Sequence, residues 1–170
     1  MQEIIGSIMS HKVTTVIGAP GIGKTTISKA VGFHLVDRKV FKDGVVFFSM
    51  KERMLTSALI EKMYFFFSKH DELRRMEKEE GPTSLQRRQT VCEIKLIETE
   101  KMKEKIFKLI EDCSMLIIID NLEDCLRRDA DILRQFIIEL LTRASGISIM
   151  STSRSKINDL GEVTEKLHEL

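Results

Sequence analysis

Val13-Thr14-Thr15-Val16-Ile17-Gly18-Ala19-Pro20-Gly21-Ile22-Gly23-Lys24-Thr25 is the stretch on which the reading of this chain turns. Its first five residues are all β-branched and stop at a glycine, the pattern of a strand running into a tight turn. From Thr25 the period changes, and Ile27, Ala30, Val31 and Leu35 share one face of a helix. Between strand and helix, Gly18, Gly23, Lys24 and Thr25 match the spacing Gly-x-x-x-x-Gly-Lys-Ser/Thr. Each part has a mechanical reason. Glycine permits backbone angles that let successive N–H groups turn inward around a phosphate. Lys24 brings a cation to the β- and γ-phosphates, and the Thr25 hydroxyl suits Mg²⁺. The helix that begins there points its positive end at the anion. The segment therefore predicts a cradle for nucleotide phosphates, built by Gly18, Ala19, Pro20, Gly21, Ile22, Gly23, Lys24 and Thr25.

Working outward, Ile4, Ile5 and Ile8 have the spacing of a short lead-in helix. Asp43-Gly44 marks a turn, and Val45 to Met50 reads as a second buried strand. Leu55, Ala58, Leu59, Met63, Phe66 and Phe67 follow helical spacing. In this setting half of Tyr64-Phe65-Phe66-Phe67 falls on a core-facing side. The charged run from Lys69 to Glu80 ends at Gly81-Pro82. After Ser84, a suitable N-cap, a long amphipathic helix is expected to carry Val91, Ile94, Met102, Ile106, Leu109, Ile110 and Cys113. Leu116 to Ile119 is continuously apolar, as a parallel strand covered on both faces should be. Leu133, Phe136, Ile137, Leu140, Leu141 and Ala144 form a helical stripe, with Asp129 and Asp131 at its positive end and Gly146 as its stop. Ile147 to Thr152 is a fourth strand, and a short fifth is expected at Lys166 to Leu170. Strands alternating with helices predict an α/β fold: three layers, doubly wound, with a mainly parallel sheet of about five strands. We read residues 1–170 as a single core, with a charged helical insertion at about 69–112.

Composition narrows the function classes. The 170 residues are 42% hydrophobic and 31% charged, an ordinary globular balance. A net charge of +1 supplies no global attraction to nucleic acid or an anionic membrane, so neither is expected as a partner. Cys92, Cys113 and Cys125 show no CxxC spacing and read as free thiols of a reducing cytosol. No signal peptide opens the chain, and Met115 to Ile119 is too short to span a bilayer. The expected location is cytoplasmic. His11, His34, His70 and His168 lack metal spacing, and no Asn-Lys-x-Asp segment reads guanine, which leaves adenine as the better base.

In doubly wound sheets ligands sit beyond the carboxyl ends of the strands, and Gly18, Asp120 and Arg154 all fall at such ends. Asp120 follows Ile117-Ile118-Ile119, where a carboxylate holds Mg²⁺ through its water shell opposite Thr25; the alternative is an ordinary turn-starting Asp. Hydrolysis also needs a group to orient or deprotonate water. Asn121 is a poor base, so Glu123 is the preferred choice, against the alternative of a solvated loop carboxylate. Arg154, after Ser151-Thr152-Ser153, is placed to sense a γ-phosphate; the alternative is a solvated arginine. Arg74-Arg75, Arg87-Arg88 and Arg127-Arg128 offer arginine-finger candidates, with surface solvation as the default.

With these motifs placed, the chain resembles the signal-transduction ATPases with numerous domains (STAND). Within them it is most similar to the NB-ARC module shared by apoptosis activators and plant resistance proteins. The resemblance rests on Gly-Ala-Pro-Gly-Ile-Gly-Lys-Thr-Thr at 18–26, Phe41 to Phe48, Leu116 to Asn121 and Gly146 to Arg154. It implies a P-loop NTPase fold and an ATP/ADP switch with Mg²⁺ and slow hydrolysis, in which Thr26 joins the nucleotide contacts. It also implies that the ATP state assembles with itself or with protein partners. Arg154 then matches the family's γ-phosphate sensor and Asp120 its Mg²⁺-associated acid. Two departures stand out: many members carry a second acid where this chain has Asn121, and the helical and winged-helix parts of relatives are not present before Leu170. A P-loop small-molecule kinase and a non-hydrolysing scaffold are the competing readings.

Overall fold

In the computed structural model, residues 1–50, 54–78, 99–157 and 162–167 are described, with side chains to residue 72 in the second stretch. The elements in chain order are α1 (Gln2–Ser10), β1 (Val13–Ile17), α2 (Lys24–Asp37), β2 (Val45–Ser49), α3 (Thr56–Lys78), α4 (Thr99–Ile110), β3 (Met115–Asp120), α5 (Glu123–Arg128), α6 (Ala130–Arg143), β4 (Ile147–Ser153) and β5 (Val163–Lys166). The strands form one five-stranded sheet in the order β2-β3-β4-β1-β5. Every pairing is parallel.

Alternation along the strands explains the layers. Successive side chains leave a strand on opposite faces. Leu116 and Ile118 of β3 meet Val16, Met150 and the helix residues Ile4, Ile8, Val31 and Leu35. Met115, Ile117 and Ile119 meet the other face, under Leu59, Ile60 and Met63 of α3, Ile106 and Ile110 of α4, and Phe136 and Leu140 of α6. The sheet is thus sandwiched between α1 with α2 and α3, α4 with α6. This is why β3 is buried along its whole length. Each of these side chains contributes roughly 1.5–3 kcal/mol by leaving water, the term that offsets the ordering of the chain.

Several boundaries differ from the sequence reading. The fifth strand lies at Val163–Lys166 rather than Lys166–Leu170, because Thr14 to Ile17 pair with Val163 to Lys166. Residues 168–170 lie outside the described residues. The long helix expected from Ser84 is described only as α4, and its part at 84–98 also lies outside them. Ala30, expected on the buried face of α2, is exposed, while Ser28 and Gly32 take the places beside the sheet. Helix α5 was not foreseen; its six residues lack a full apolar period, and only Cys125 among them is buried.

Gly146 plays a different part from the helix stop expected of it. Helix α6 ends at Arg143 with Ala144 as its C-cap. A Cβ on Gly146 would stand 2.3 Å from the Cys113 carbonyl oxygen, so glycine is required where two loops cross backbone to backbone. Gly146 allows close approach rather than a left-handed turn.

Candidate functional site

The alternation that layers the core also aims Asp120. Leu116 and Ile118 face the α2 side of the sheet, and Asp120 is the next residue of that parity. Helix α2 leaves β1 and crosses β4 and β3 on its way to β2, so its first turn sits above the carboxyl ends of these strands. The Thr25 hydroxyl accordingly lies 2.9 Å from each carboxylate oxygen of Asp120. From β4, the Thr152 hydroxyl donates to Asp120 Oδ1 at 2.6 Å. The same Thr152 oxygen accepts the Asn121 amide N–H at 2.9 Å. Asp120 is only 4% exposed, so two hydroxyl donors supply the solvation it has lost.

The loop from Gly18 to Gly23 has left-handed backbone at two of its glycines. Gly21 has φ +80° and Gly23 φ +96°, a left-handed pair that L side chains resist. Gly23 is the N-cap of α2, so the helix begins at the loop's end. Ala19, Pro20, Gly21, Thr25 and Thr26 are exposed, leaving the mouth of the loop open. Lys24 turns back over it, donating to the carbonyl oxygens of Gly18 at 2.8 Å and Ala19 at 3.0 Å. Two carbonyl dipoles are a weaker partner for an ammonium than a phosphate is. A phosphate in the loop would offer Lys24 a stronger contact than these carbonyls.

The polar end of β4 divides in two. Ser151 is bonded to Thr15 at 2.7 Å, Thr152 to Asp120, and Ser153 Oγ accepts the Ser155 N–H. These hydroxyls are buried and engaged inside the protein. Arg154 alone reaches out. Ile17 and Ser153 are register partners, so Arg154 leaves β4 level with Gly18. Its Nε lies 3.4 Å from Oε1 of Glu123, the first residue of α5. Of the arginine pairs, Arg127 is bonded to Asp124 within α5.

Asn121 has φ 72°, a left-handed conformation that Asn tolerates better than most residues. Its Nδ2 donates to the Met50 carbonyl at 3.0 Å, while the Met50 N–H donates to the Asp120 carbonyl at 2.8 Å. The amide therefore ties the end of β2 to the end of β3. Sequence reasoning missed this use, as it missed Thr152 as the support of Asp120. Both depend on strand order, since β3 lies between β2, which brings Met50, and β4, which brings Thr152.

Thr25 and Asp120 present hard oxygen donors 2.9 Å apart. That is about the spacing of neighbouring oxygens around Mg²⁺, given bonds of about 2.0–2.1 Å at right angles. The residues present fit the ion. Among the described residues there is no group of three or more His, Cys, Asp or Glu that could form an all-protein metal cage. Cys125 is a free thiol. Burial, with Asp129 and Asp124 nearby, pushes the Cys125 thiol up to about 11. Among the described residues no helix is long and apolar enough to cross a membrane.

A glycine-rich loop between a central parallel strand and a helix, with an acid at the end of a strand one removed, defines a P-loop NTPase core. The NB-ARC domain family model matches residues 1–169, and the chain belongs to that family of nucleotide-binding domains. No curated protein sequence matches it. Among solved structures it is similar to the STAND protein with a tetratricopeptide repeat sensor from Pyrococcus horikoshii, at TM-score 0.59 and 16% identity over 98% of this chain. It is also similar to a chain of the DNA-bound Drosophila ORC, at TM-score 0.59 and 18% identity over 97%. A third likeness is the Walker-type ATPase of Pyrococcus abyssi, at TM-score 0.51 and 14% identity over 97%. At such identities these share the fold. The chain spans 22%, 41% and 51% of the three.

Proposed function

We propose that this chain is an ATP/ADP-binding signalling switch whose nucleotide exchange controls oligomerisation or recruitment of a protein partner, with slow Mg²⁺-dependent hydrolysis of ATP. The observation that carries this reading is the Thr25–Asp120 contact at 2.9 Å, beside a loop whose lysine, among the described residues, is held by carbonyls alone. Gly18 to Thr26 take the phosphates, Lys24 moves from its carbonyls to the β- and γ-phosphates, and Thr25 with Asp120 hold Mg²⁺. Bound there, the ion neutralises phosphate charge. Arg154 meets the γ-phosphate, and Glu123 orients the attacking water. Slow turnover follows from Asn121, an amide already committed to Met50 and unable to act as a base. Membership of the NB-ARC family supports the switch, as does the lack of a guanine-reading segment for adenine. In this reading residues 1–170 are one core with a charged insertion at about 69–112, working in the cytosol.

Calorimetric titration with ADP, ATP and GTP, with and without Mg²⁺, tests this. Adenine nucleotides are expected to bind in an Mg²⁺-dependent way, and Lys24→Ala to abolish binding with the fold retained. A folded Lys24→Ala protein that binds ATP as tightly as the parent refutes the cradle. Phosphate transfer to a small acceptor would overturn the switch in favour of a kinase.

A further inference from the structure

The Arg154–Glu123 pair has features that neither a γ-phosphate sensor nor a general base requires. Arg154 is 62% exposed, yet its guanidinium is turned to Glu123. Glu123 is only 15% exposed, and its Oε2 is buried with no hydrogen-bond partner among the described residues. Such an oxygen keeps its charge at a cost unless a cation stands close. Among the described residues Arg154 is that cation. The two residues are brought together by separate elements, the first turn of α5 and the end of β4.

We propose that Glu123 is a latch for Arg154, and that the nucleotide state is read by an exchange of partners at this guanidinium. This rests on the reading of the site given above, in which Arg154 meets the γ-phosphate. With the cradle empty or holding ADP, Arg154 stays on Glu123. With ATP, the γ-phosphate lies on the cradle side, where Arg154 emerges level with Gly18. An exposed ion pair of this kind shifts an equilibrium by only about two- to five-fold. A charge-assisted contact with phosphate oxygens is stronger, so the exchange runs toward the nucleotide and reverses when the γ-phosphate leaves. Release leaves the Glu123 carboxylate without its cation, ready to accept a hydrogen bond from water. Glu123 is thus a positioning residue toward Arg154, and it lowers the preference for ATP over ADP.

The test is the ratio of affinities for ATPγS and ADP, each with Mg²⁺, in the parent, Glu123→Gln, Arg154→Ala and the double variant. Glu123→Gln is expected to raise the preference for ATPγS by about two- to five-fold. Arg154→Ala is expected to lower it. In the Arg154→Ala background, the Gln substitution is expected to change nothing. A ratio unmoved by Glu123→Gln, or moved equally in both backgrounds, overturns the latch while leaving the nucleotide site standing. If the parent binds neither nucleotide, the functional reading falls and takes the latch with it. Glu123→Asp, which keeps the charge on a shorter arm, serves if the Gln variant does not fold; an intermediate rise is expected, and no rise overturns the proposal.

Discussion

Replacing Asn121 separates two reasons for an amide at the end of β3. The residue is left-handed at φ 72°, and its Nδ2 donates to the Met50 carbonyl at 3.0 Å. Asn121→Gly keeps the backbone conformation without strain and loses the hydrogen bond, about 1 kcal/mol, with roughly a further 0.5–1 kcal/mol from glycine's added freedom when unfolded. Asn121→Ala loses the same bond and adds about 1–2 kcal/mol for a Cβ in the left-handed region, roughly 2–3 kcal/mol in all. Asn121→Asp tolerates the conformation but turns a carboxylate onto a carbonyl, two acceptors with no proton between them. The lost bond and an unpaired, half-buried charge together cost about 2–4 kcal/mol, with the adjacent Asp120 adding repulsion. Urea midpoints read these differences directly if the slope is unchanged. For a domain of this length each 1 kcal/mol moves Tm by about 2–4 °C. The reasoning is refuted if the Asp variant is as stable as the parent, or if Ala is no worse than Gly. The outcome also bears on the site, because a second acid at this position gives up the tie to Met50 that the amide makes.

Two further predictions follow from packing and burial. Gly146→Ala places a Cβ 2.3 Å from the Cys113 oxygen, and the backbones must part; a loss of about 1–3 kcal/mol or more in urea unfolding is expected, and an unchanged midpoint would refute the crossing. The Cys125 thiol titrates at about 11 in the fold against an ordinary 9.0, so its contribution is fully present below pH 9 and is lost as pH rises towards 11. That loss amounts to roughly 2–3 kcal/mol, and comparing urea midpoints of the parent and Cys125→Ala from pH 8 to 11 checks it. A stability gap between the two that does not change with pH refutes the shift.

Much of the fold was legible because it is carried by local patterns. Val13 to Ile17, Val45 to Phe48 and Leu116 to Ile119 declare strands as short β-branched or apolar runs, and the Leu133 to Leu141 stripe declares a helix by its period. The Gly18–Thr25 spacing likewise predicts its own loop, since left-handed angles at Gly21 and Gly23 are a property of glycine. Helix α5 was not legible, because six residues with one buried side chain carry no period. The fifth strand was misplaced because Val163 to Lys166 is held by pairing with β1 rather than by its own propensity.

The sequence by itself determined the alternating strand and helix architecture, the glycine-rich loop after β1 and the acid that ends β3. These depend on residues near one another in the chain, where the period of burial and the freedom of glycine act directly. Only the tertiary structure decided what the polar groups do with one another. Thr25 and Asp120 are 95 positions apart, Thr152 and Asp120 are 32 apart, and Asn121 and Met50 are 71 apart. The first two contacts exist because β4 is laid between β1 and β3 and α2 crosses above both, and the third because β2 pairs with β3. Strand order arises from the packing of the whole sheet against its helices, which no local stretch of sequence specifies.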